Sequence, residues 1–348
     1  MPLQNSPDYQ RVDVVPLETD PRSLIRMIEN IEVYDTLIVI KDNLSVFIFN
    51  DKGKFISEVG RQGEGPDEYG MVNTFFIDKA TKRIVLIDEM KQKYFSYDYA
   101  GRFLFSEDAP GEAIKKTIQA IPVEDGLLLN HYINFEANNA FTYLKDSAVE
   151  STLSYEPVST EGYLYALSKN VMTSTGGGID FILPYNDTIY TFKEGKFLPK
   201  YTVDLSLPMV PREHFHKTDV NNSHFSMILK YAKDGYFTGF KAIYETQAKI
   251  LLSYFQDGLV MAYYLGDKKS MTGNYYLYTT GKTVETIPFL NIQGSTENAF
   301  IGVYDAQSLL LLKDKIGNTD NNPALSSFKN IVESLDYEDN PVLFFYYF

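Results

Sequence analysis

Short apolar runs alternate with turn-forming residues along this chain, and one such pattern is written twice between residues 31 and 106. Each copy has two apolar runs, a turn that contains glycine, and a further strand-like run. The copies cover 37–55 and 84–103, and their turn glycines, Gly53 and Gly101, are 48 residues apart. Runs of this length are typical of β-strands. A repeat of about 48 residues matches one four-stranded blade of a β-propeller.

Two further copies of the pattern are weaker. The third consists of four short segments, which lie at 115–121, 126–131, 141–144 and 152–155. The fourth covers 186–197, and its turn glycine, Gly195, lies 94 residues after Gly101, which is two repeats of 47. The spacing therefore predicts a degraded blade between the second and the fourth copies.

After residue 206 the repeat breaks. Residues 208–236 contain three of the four histidines. They also have the apolar spacing of a helix, at Phe225, Ile228, Leu229 and Ala232. This segment predicts a helical insertion on one face of the fold, with Gly235 able to end the helix.

Strand-like runs resume at 241 and continue to 279, and a last set lies at 299–304 and 309–312. Asn322 and Pro323 then predict the start of a helix, because proline is favourable at the first helical position. The final run, 342–348, is apolar at every position and predicts a buried strand.

These patterns predict an all-β fold, a six-bladed β-propeller of four-stranded antiparallel blades with a small helical insertion and a short C-terminal helix. One domain covers 11–348, after a loose segment at 1–10. Six blades fit the length, but two repeats are too eroded to exclude seven. Closing the ring requires its ends to meet, since an open blade presents unpaired edges. We therefore expect 12–17 to pair within a blade built from the C-terminal half.

Composition narrows the function classes. The formal charge is −14, with 32 basic and 46 acidic residues, so the chain should repel phosphate backbones and not bind nucleic acid. The 27 Tyr and 24 Phe supply a large core, and the absence of Trp argues against WD40-type repeats. There is no Cys, no apolar run of transmembrane length and no signal-peptide pattern at the start. The sequence therefore predicts either a cytoplasmic protein or a mature fragment.

Three places in the chain carry a family resemblance. They are the 60–69 loop, the repeated strand–Gly–Lys/Arg turn, and the closing 338–342 segment. With these motifs the chain resembles the six-bladed β-propeller family of secreted and lipid-anchored proteins of Gram-negative gut anaerobes, which is distantly similar to NHL-repeat propellers. The resemblance implies an envelope location, periplasmic or at the outer membrane, with a possible lipid anchor on the precursor. It implies no shared reaction and no catalytic residue.

The glycine-rich loop could be mistaken for a phosphate cradle. It lacks the Gly-Lys-Ser/Thr ending of a P-loop, and its three carboxylates would repel an anion. We predict a structural connection between blades, in which the turn is set by Gly60, Gly63, Gly65, Pro66, Glu68 and Tyr69.

The insertion holds the chain's one cluster of residues with metal-ligand chemistry. Its members are Glu213, His214, His216, Asp219 and His224. A His-x-His pair places both rings on one side of a strand, so His214, His216 and His224 are candidate metal ligands. There is no His-Glu-x-x-His motif, and loops of this composition are more often simply solvated.

The sequence favours a non-catalytic binding or scaffolding module of the cell envelope, with a protein, glycan or peptide ligand bound at the mouth of the propeller funnel. The sequence leaves the cofactor unknown. The alternative is a propeller-type lyase or hydrolase that acts on glycan or peptide and depends on a metal or a carboxylate pair. A third possibility is a purely structural subunit, which predicts a broad apolar patch outside the funnel.

Overall fold

Six four-stranded antiparallel sheets form the computed structural model of this protein. It describes residues 7–43, 45–131, 139–154, 170–174, 177–211, 224–258, 260–277, 284, 286–319 and 322–348. The sheets follow one another along the chain as the blades of a ring, and adjacent blades contact each other through their first strands. The predicted six-bladed β-propeller is confirmed.

Each blade is built in the same order from the axis outward. The first strands are Asn30–Tyr34 (β2), Val72–Asp78 (β6), Thr117–Val123 (β10), Met172–Ser174 (β14), Phe240–Glu245 (β18) and Ile292–Ser295 (β22). The second strands are Leu37–Lys41 (β3), Arg83–Asp88 (β7), Gly126–His131 (β11), Ile179–Ile182 (β15), Lys249–Gln256 (β19) and Ala299–Tyr304 (β23).

The outer half of each blade repeats the same hairpin. The third strands are Val46–Asn50 (β4), Lys93–Tyr97 (β8), Asn139–Lys145 (β12), Thr188–Lys193 (β16), Val260–Asp267 (β20) and Val342–Tyr347 (β24). The fourth strands are Phe55–Glu58 (β5), Phe103–Asp108 (β9), Ala148–Ser154 (β13), Lys196–Thr202 (β17), Thr272–Leu277 (β21) and Arg11–Pro16 (β1).

The core lies between neighbouring blades. Second strands are covered on both faces, and Ile38, Val39 and Ile40 of β3 are at most 1% exposed. Across one interface, Ile48 of β4 packs in the same cluster as Leu86 of β7. Burial on both faces explains why these strands read as continuous apolar runs rather than as an alternation.

The turn between the third and fourth strands explains why the third repeat is weak in the sequence. Gly53, Gly101 and Gly195 occupy this turn with φ between 74° and 76°. Blade 3 reaches the left-handed region with Asp146 and Ser147 instead, at φ 48° and 61°. The predicted blade is therefore present, with the turn conformation kept and the glycine lost.

The helices agree with the sequence in two places and differ in a third. Pro323–Ser334 is helical, with Asn322 accepting a hydrogen bond from Leu325 N as its N-cap. His224–Lys233 is helical and lies between β17 and β18, within the predicted insertion. The strand predicted at 309–312 was wrong. Ala306–Leu310 is a helix capped by Asp305, because a short apolar run fits a buried helix as well as a strand. Within the described residues, no helix is long and apolar enough to cross a membrane.

The two ends of the chain close the ring in one blade. β1 pairs antiparallel with β24, with Val14 opposite Phe344, and so supplies the outermost strand of the sixth blade. This confirms the expected pairing of 12–17 with the C-terminal half.

Asn340 fastens the segment that leads from β1 into the first blade. It is 2% exposed, and its Nδ2 donates to the carbonyl oxygens of Glu18 and Ser23, each at 2.8 Å. Its Oδ1 accepts from Ile25 N at 2.8 Å. The predicted closing motif at 338–342 therefore holds the first and last blades together.

We predict that Asn340→Ala lowers the free energy of unfolding by about 2–4 kcal/mol, since three buried hydrogen bonds are lost and their backbone partners stay buried. Urea denaturation followed by circular dichroism measures the change. Asn298→Ala, at an exposed position, is the matched control and should change stability by less than about 0.5 kcal/mol. Equal effects of the two substitutions would contradict a closing role for Asn340.

Candidate functional site

A funnel with a volume of about 2000 Å³ lies along the axis of the ring. Its wall consists of the first strands of the blades and the turns that join first to second strands, which contribute Asp35, Thr81, Glu124, Gln247 and Asn298. The funnel therefore opens at the end of the ring where each first strand finishes. Clefts between blades extend it outward, to Tyr94 on one side and to Tyr347 on another.

Acidic groups dominate the funnel wall. Ten carboxylates line the funnel and its clefts, against the three cationic side chains of Lys52, Lys79 and Arg83. Three of the carboxylates are in ion pairs: Asp13 with Arg11 at 3.1 Å, Asp78 with Arg83 at 3.0 Å, and Glu245 with Lys268 at 3.5 Å. The other seven form no ion pair within the described residues, and they are Glu32, Asp35, Asp51, Glu107, Glu124, Asp146 and Glu297. The funnel consequently presents net negative charge to a ligand.

Carboxamides on the wall connect one blade to the next. Gln119 donates through Nε2 to Met172 O at 2.8 Å and accepts at Oε1 from Met172 N at 3.0 Å. Asn170 Nδ2 donates to the Tyr244 hydroxyl, which donates in turn to Ile292 O at 2.7 Å. These bonds hold blades 3 to 6 in fixed positions around the axis, so the wall is preorganised.

Among the carboxylates that line the funnel, Glu32 has the pKa that its surroundings raise most. It lies half-buried in β2, and its Oε2 accepts from Ile77 N of the next blade at 3.1 Å. Burial raises the pKa of Glu32 to about 7, against the smaller lowering effects of the Ile77 hydrogen bond and the Lys79 charge. A carboxyl group with a pKa near neutrality changes charge in the physiological range.

The glycine-rich loop lies at the other end of the ring. β6 runs from the loop at Val72 to the funnel at Asp78, and no loop residue lines the funnel. Within the loop, Glu68 Oε2 accepts from Gly65 N at 2.9 Å and Oε1 pairs with Arg61 Nε at 2.7 Å. The Gly65 hydrogen bond lowers the pKa of Glu68, so the carboxylate stays charged. A Cβ on Gly63 would overlap Glu68 Oε2.

Two residues outside the loop complete its hydrogen bonds. Lys91 Nζ donates to Gly63 O and Glu68 O, each at 2.7 Å. Asp88 accepts from Gly70 N at 2.5 Å and from Lys91 N at 2.9 Å. Sequence reasoning missed Lys91, since nothing local distinguishes this lysine from a surface residue. The loop's carbonyl groups therefore enclose an ammonium group of the protein itself.

The histidine candidates are not brought together by anything the structure describes. His214 and His216 lie outside the described residues. His224 is the first residue of the His224–Lys233 helix. Across the described ranges, no group of three metal-ligating side chains occurs. The metal site stays a prediction.

The six closed blades and the lined axial funnel define the class of this protein, a six-bladed β-propeller. Over residues 2–347 the chain matches the family described as Domain of unknown function (DUF4934), and it belongs to that family. No curated protein matches the chain.

Two solved structures from Bacteroides share the architecture. A putative exported protein from Bacteroides fragilis NCTC 9343 is 19% identical, with a TM-score of 0.76 over 98% of this chain and 97% of that one. A member of the duf4221 family from Bacteroides vulgatus ATCC 8482 is 10% identical, with a TM-score of 0.56 over 98% and 97% of the two chains. At these identities the likeness shows the fold alone.

We predict that Gly63→Ala destabilises the protein by about 1–3 kcal/mol, because the added methyl group displaces Glu68 from its hydrogen bonds. Gly177→Ala is the matched control, since a Cβ there meets no atom of the described residues within 4 Å. Denaturant titrations of both variants test the structural role proposed for the loop. Full stability of Gly63→Ala would show that the loop tolerates rearrangement.

We predict a pH-dependent gain in stability for Glu32→Gln. Glu32 has its ordinary pKa of 4.5 when the chain is unfolded and a pKa of about 7 when it is folded. Its contribution to stability therefore falls as pH rises between these values. At pH 8 the variant should be more stable than the wild type by about 1–3 kcal/mol, and near pH 4 the two should be similar.

Thermal unfolding from pH 4 to 8 measures this difference. Glu150→Gln, on the exposed surface of β13, removes the same charge and is the control. A gain that does not vary with pH would rule out titration of Glu32 as its cause.

Proposed function

We propose that this chain is a non-catalytic binding module of the cell envelope, and that its ligand enters the axial funnel. The observation that carries the proposal is the lining of the funnel and its clefts, where seven carboxylates have no ion pair among the described residues. Four of them, Glu32, Asp35, Glu124 and Glu297, lie on first strands or on the turns that follow them. Unpaired charges that converge on a preorganised cavity recognise a ligand of the opposite sign. The ligand that fits best carries positive charge.

The size of the funnel supports a ligand longer than a metabolite. Its volume of about 2000 Å³ exceeds the roughly 300–1,000 Å³ of a typical small-molecule site. The clefts toward Tyr94 and Tyr347 extend the cavity between blades. We therefore propose an extended cationic peptide segment, as a free peptide or as part of a protein.

The envelope location is supported by the fold shared with a putative exported protein from Bacteroides fragilis. Lipid anchoring, the relation to NHL-repeat propellers, and the lyase or hydrolase alternative stay predictions. The apolar patch expected of a purely structural subunit also stays a prediction.

A matched pair of triple variants tests the proposed site. Asp35→Asn, Glu124→Gln and Glu297→Gln together remove three charges from the funnel wall. Glu150→Gln, Glu194→Gln and Glu333→Gln remove three charges from exposed positions elsewhere. Both triple variants change the net charge equally, so a general electrostatic effect acts on both.

We predict that a fluorescent lysine-rich peptide binds the wild type and the surface triple variant with similar affinity, and the funnel triple variant at least about tenfold more weakly, a change of about 1.4 kcal/mol. Binding should weaken as salt rises. Equal loss in the two triple variants would place binding outside the funnel. Binding of a neutral oligosaccharide instead of the peptide would overturn the charge argument.

A further inference from the structure

The funnel reaches the outer strands of the ring at two places. Among the described residues, side chains of third and fourth strands line it only between blades 2 and 3 and between blades 6 and 1. We call the first of these places the blade 2/3 cleft. It is lined by Val85, Tyr94 and Glu107 from blade 2 and by Leu127, Leu144 and Asp146 from blade 3. The cleft is continuous with the funnel, so a ligand in the funnel has access to it.

Two neighbouring interfaces are closed by a hydrogen bond to the outer turn of a blade. Ser57 Oγ of β5 donates to Ala100 O in the outer turn of blade 2 at 2.9 Å. Ser151 Oγ of β13 donates to Gly195 O in the outer turn of blade 4 at 3.3 Å. In the described part of the chain, no hydrogen bond of this kind joins β9 to the Asp146 turn of blade 3. The blade 2/3 interface is therefore open where these neighbours are closed.

The blade 2/3 cleft has apolar walls. Tyr94 packs in one cluster with Val85, Leu127 and Leu144, and the four side chains are between 3% and 8% exposed. Leu127 and Leu144 lie opposite each other in antiparallel register. The small exposed fraction of these side chains faces a cavity rather than an open surface, since all four line the cleft. The walls therefore suit the aliphatic stem of a single long side chain.

Tyr94 and Glu107 add polar groups to these walls. They are opposite each other in the register of β8 and β9, so their side chains lie on the same face of blade 2. Burial, and to a smaller extent the Glu107 charge, raises the pKa of Tyr94, so its hydroxyl stays protonated. Within the described ranges this hydroxyl makes no hydrogen bond, although Tyr94 is only 8% exposed. Most buried hydroxyls are hydrogen-bonded, so a partner supplied by a ligand would complete this one.

The basic residues beside the cleft are engaged elsewhere. Three of them lie within two positions of a residue that lines it, and their ion pairs are Arg83 with Asp78 at 3.0 Å, Lys93 with Asp108 at 3.3 Å and Lys145 with Asp125 at 3.1 Å. Glu107 and Asp146 form no ion pair with any described residue. The undescribed segment nearest to both in sequence, 132–138, contains no Lys or Arg. The cleft therefore presents negative charge to a ligand.

The second cleft shows which group completes such an arrangement. Between blades 6 and 1, Asp13 of the fourth strand and Tyr347 of the third line the cavity. Arg11 contacts both, since its Nη2 pairs with Asp13 Oδ2 at 3.1 Å and its guanidinium carbon lies 4.0 Å from the centroid of the Tyr347 ring. A cation held between a carboxylate and an aromatic face is favourable. The blade 2/3 cleft has a tyrosine and a carboxylate on the same two strands of its blade, without such an arginine.

We propose that the blade 2/3 cleft is a subsite for one arginine or lysine side chain of the cationic peptide, an inference that rests on the function proposed above. The stem of this side chain packs against Leu127 and Leu144, and its cationic end reaches Glu107 and the Tyr94 hydroxyl. Asp146 adds negative charge from blade 3. Arginine binds more tightly than lysine, because a guanidinium group also stacks on an aromatic ring.

Methyl NMR of leucine-labelled protein tests the subsite near pH 7 and at constant ionic strength, with the methyl groups of Leu127 and Leu144 as reporters. The probes are N-acetyl-arginine amide, N-acetyl-lysine amide and, as a control with a similar stem and no charge, N-acetyl-norleucine amide. The proteins are the wild type, Tyr94→Phe, Glu107→Gln and the matched control Glu150→Gln. Glu150 is exposed on the fourth strand of blade 3, as Glu107 is on the fourth strand of blade 2.

The arginine amide is expected to shift both leucines in the wild type and in Glu150→Gln, with weaker binding of the lysine amide and no shift from the norleucine amide. Glu107→Gln should bind the arginine amide at least about threefold more weakly, as expected from the loss of a partly exposed ion pair. Tyr94→Phe should also bind it more weakly. Unchanged binding by Glu107→Gln, equal binding of the norleucine amide, or no shift at either leucine overturns the proposal.

The funnel triple variant separates this subsite from the proposed function. Its three substitutions lie outside the cleft, so the shifts caused by the arginine amide should persist in it. No shift in the wild type, together with loss of lysine-rich peptide binding in the triple variant, overturns the subsite and leaves the proposed function standing. Shifts at both leucines, together with peptide binding that the triple variant does not weaken, support the subsite and overturn the funnel as the peptide site.

Discussion

The ring depends on the antiparallel pairing of β1 with β24. Each blade buries both faces against its neighbours, so an open ring would expose two apolar faces. The pairing joins Arg11 to Tyr347, at opposite ends of the chain. Asn340 then ties the first blade to the last through backbone groups of Glu18, Ser23 and Ile25. These contacts join the residues that are most distant in sequence. They close the ring and so stabilise every interface between blades, and they also cost the most chain entropy to form.

Closure also makes the funnel a defined site. The carboxamides of Gln119 and Asn170 and the hydroxyl of Tyr244 bond to neighbouring blades, so each of their positions depends on the ring being complete. Uncompensated carboxylates repel each other and destabilise the compact state. A closed ring fixes the distances between the carboxylates on the funnel wall, which a flexible loop could not do. The acidic funnel is therefore a property of the whole ring rather than of one blade.

Most of the fold could be predicted from the sequence, but the funnel could not. Strand periodicity and the spacing of Gly53, Gly101 and Gly195 are local signals. The distance of two repeats between Gly101 and Gly195 predicted even the blade that has no turn glycine. Alternation shows which residues share a face, but it does not show which of them face the axis. Glu32 and Glu150 therefore look alike in sequence, although one lines the funnel and the other lies on an outer strand. Lys91 was missed for the same reason, since its surroundings come from distant parts of the chain.

β18 contains two buried charged residues whose surroundings differ. Lys241 and Glu245 lie four residues apart, about 13 Å along an extended strand. Glu245 is compensated within the protein by Lys268, and the Tyr201 hydroxyl donates to it at 3.4 Å. Lys241 has an aromatic ring beside it and no described carboxylate. The strand therefore holds one buried charge by an ion pair and a hydrogen bond, and the other at a bulge against the face of an aromatic ring.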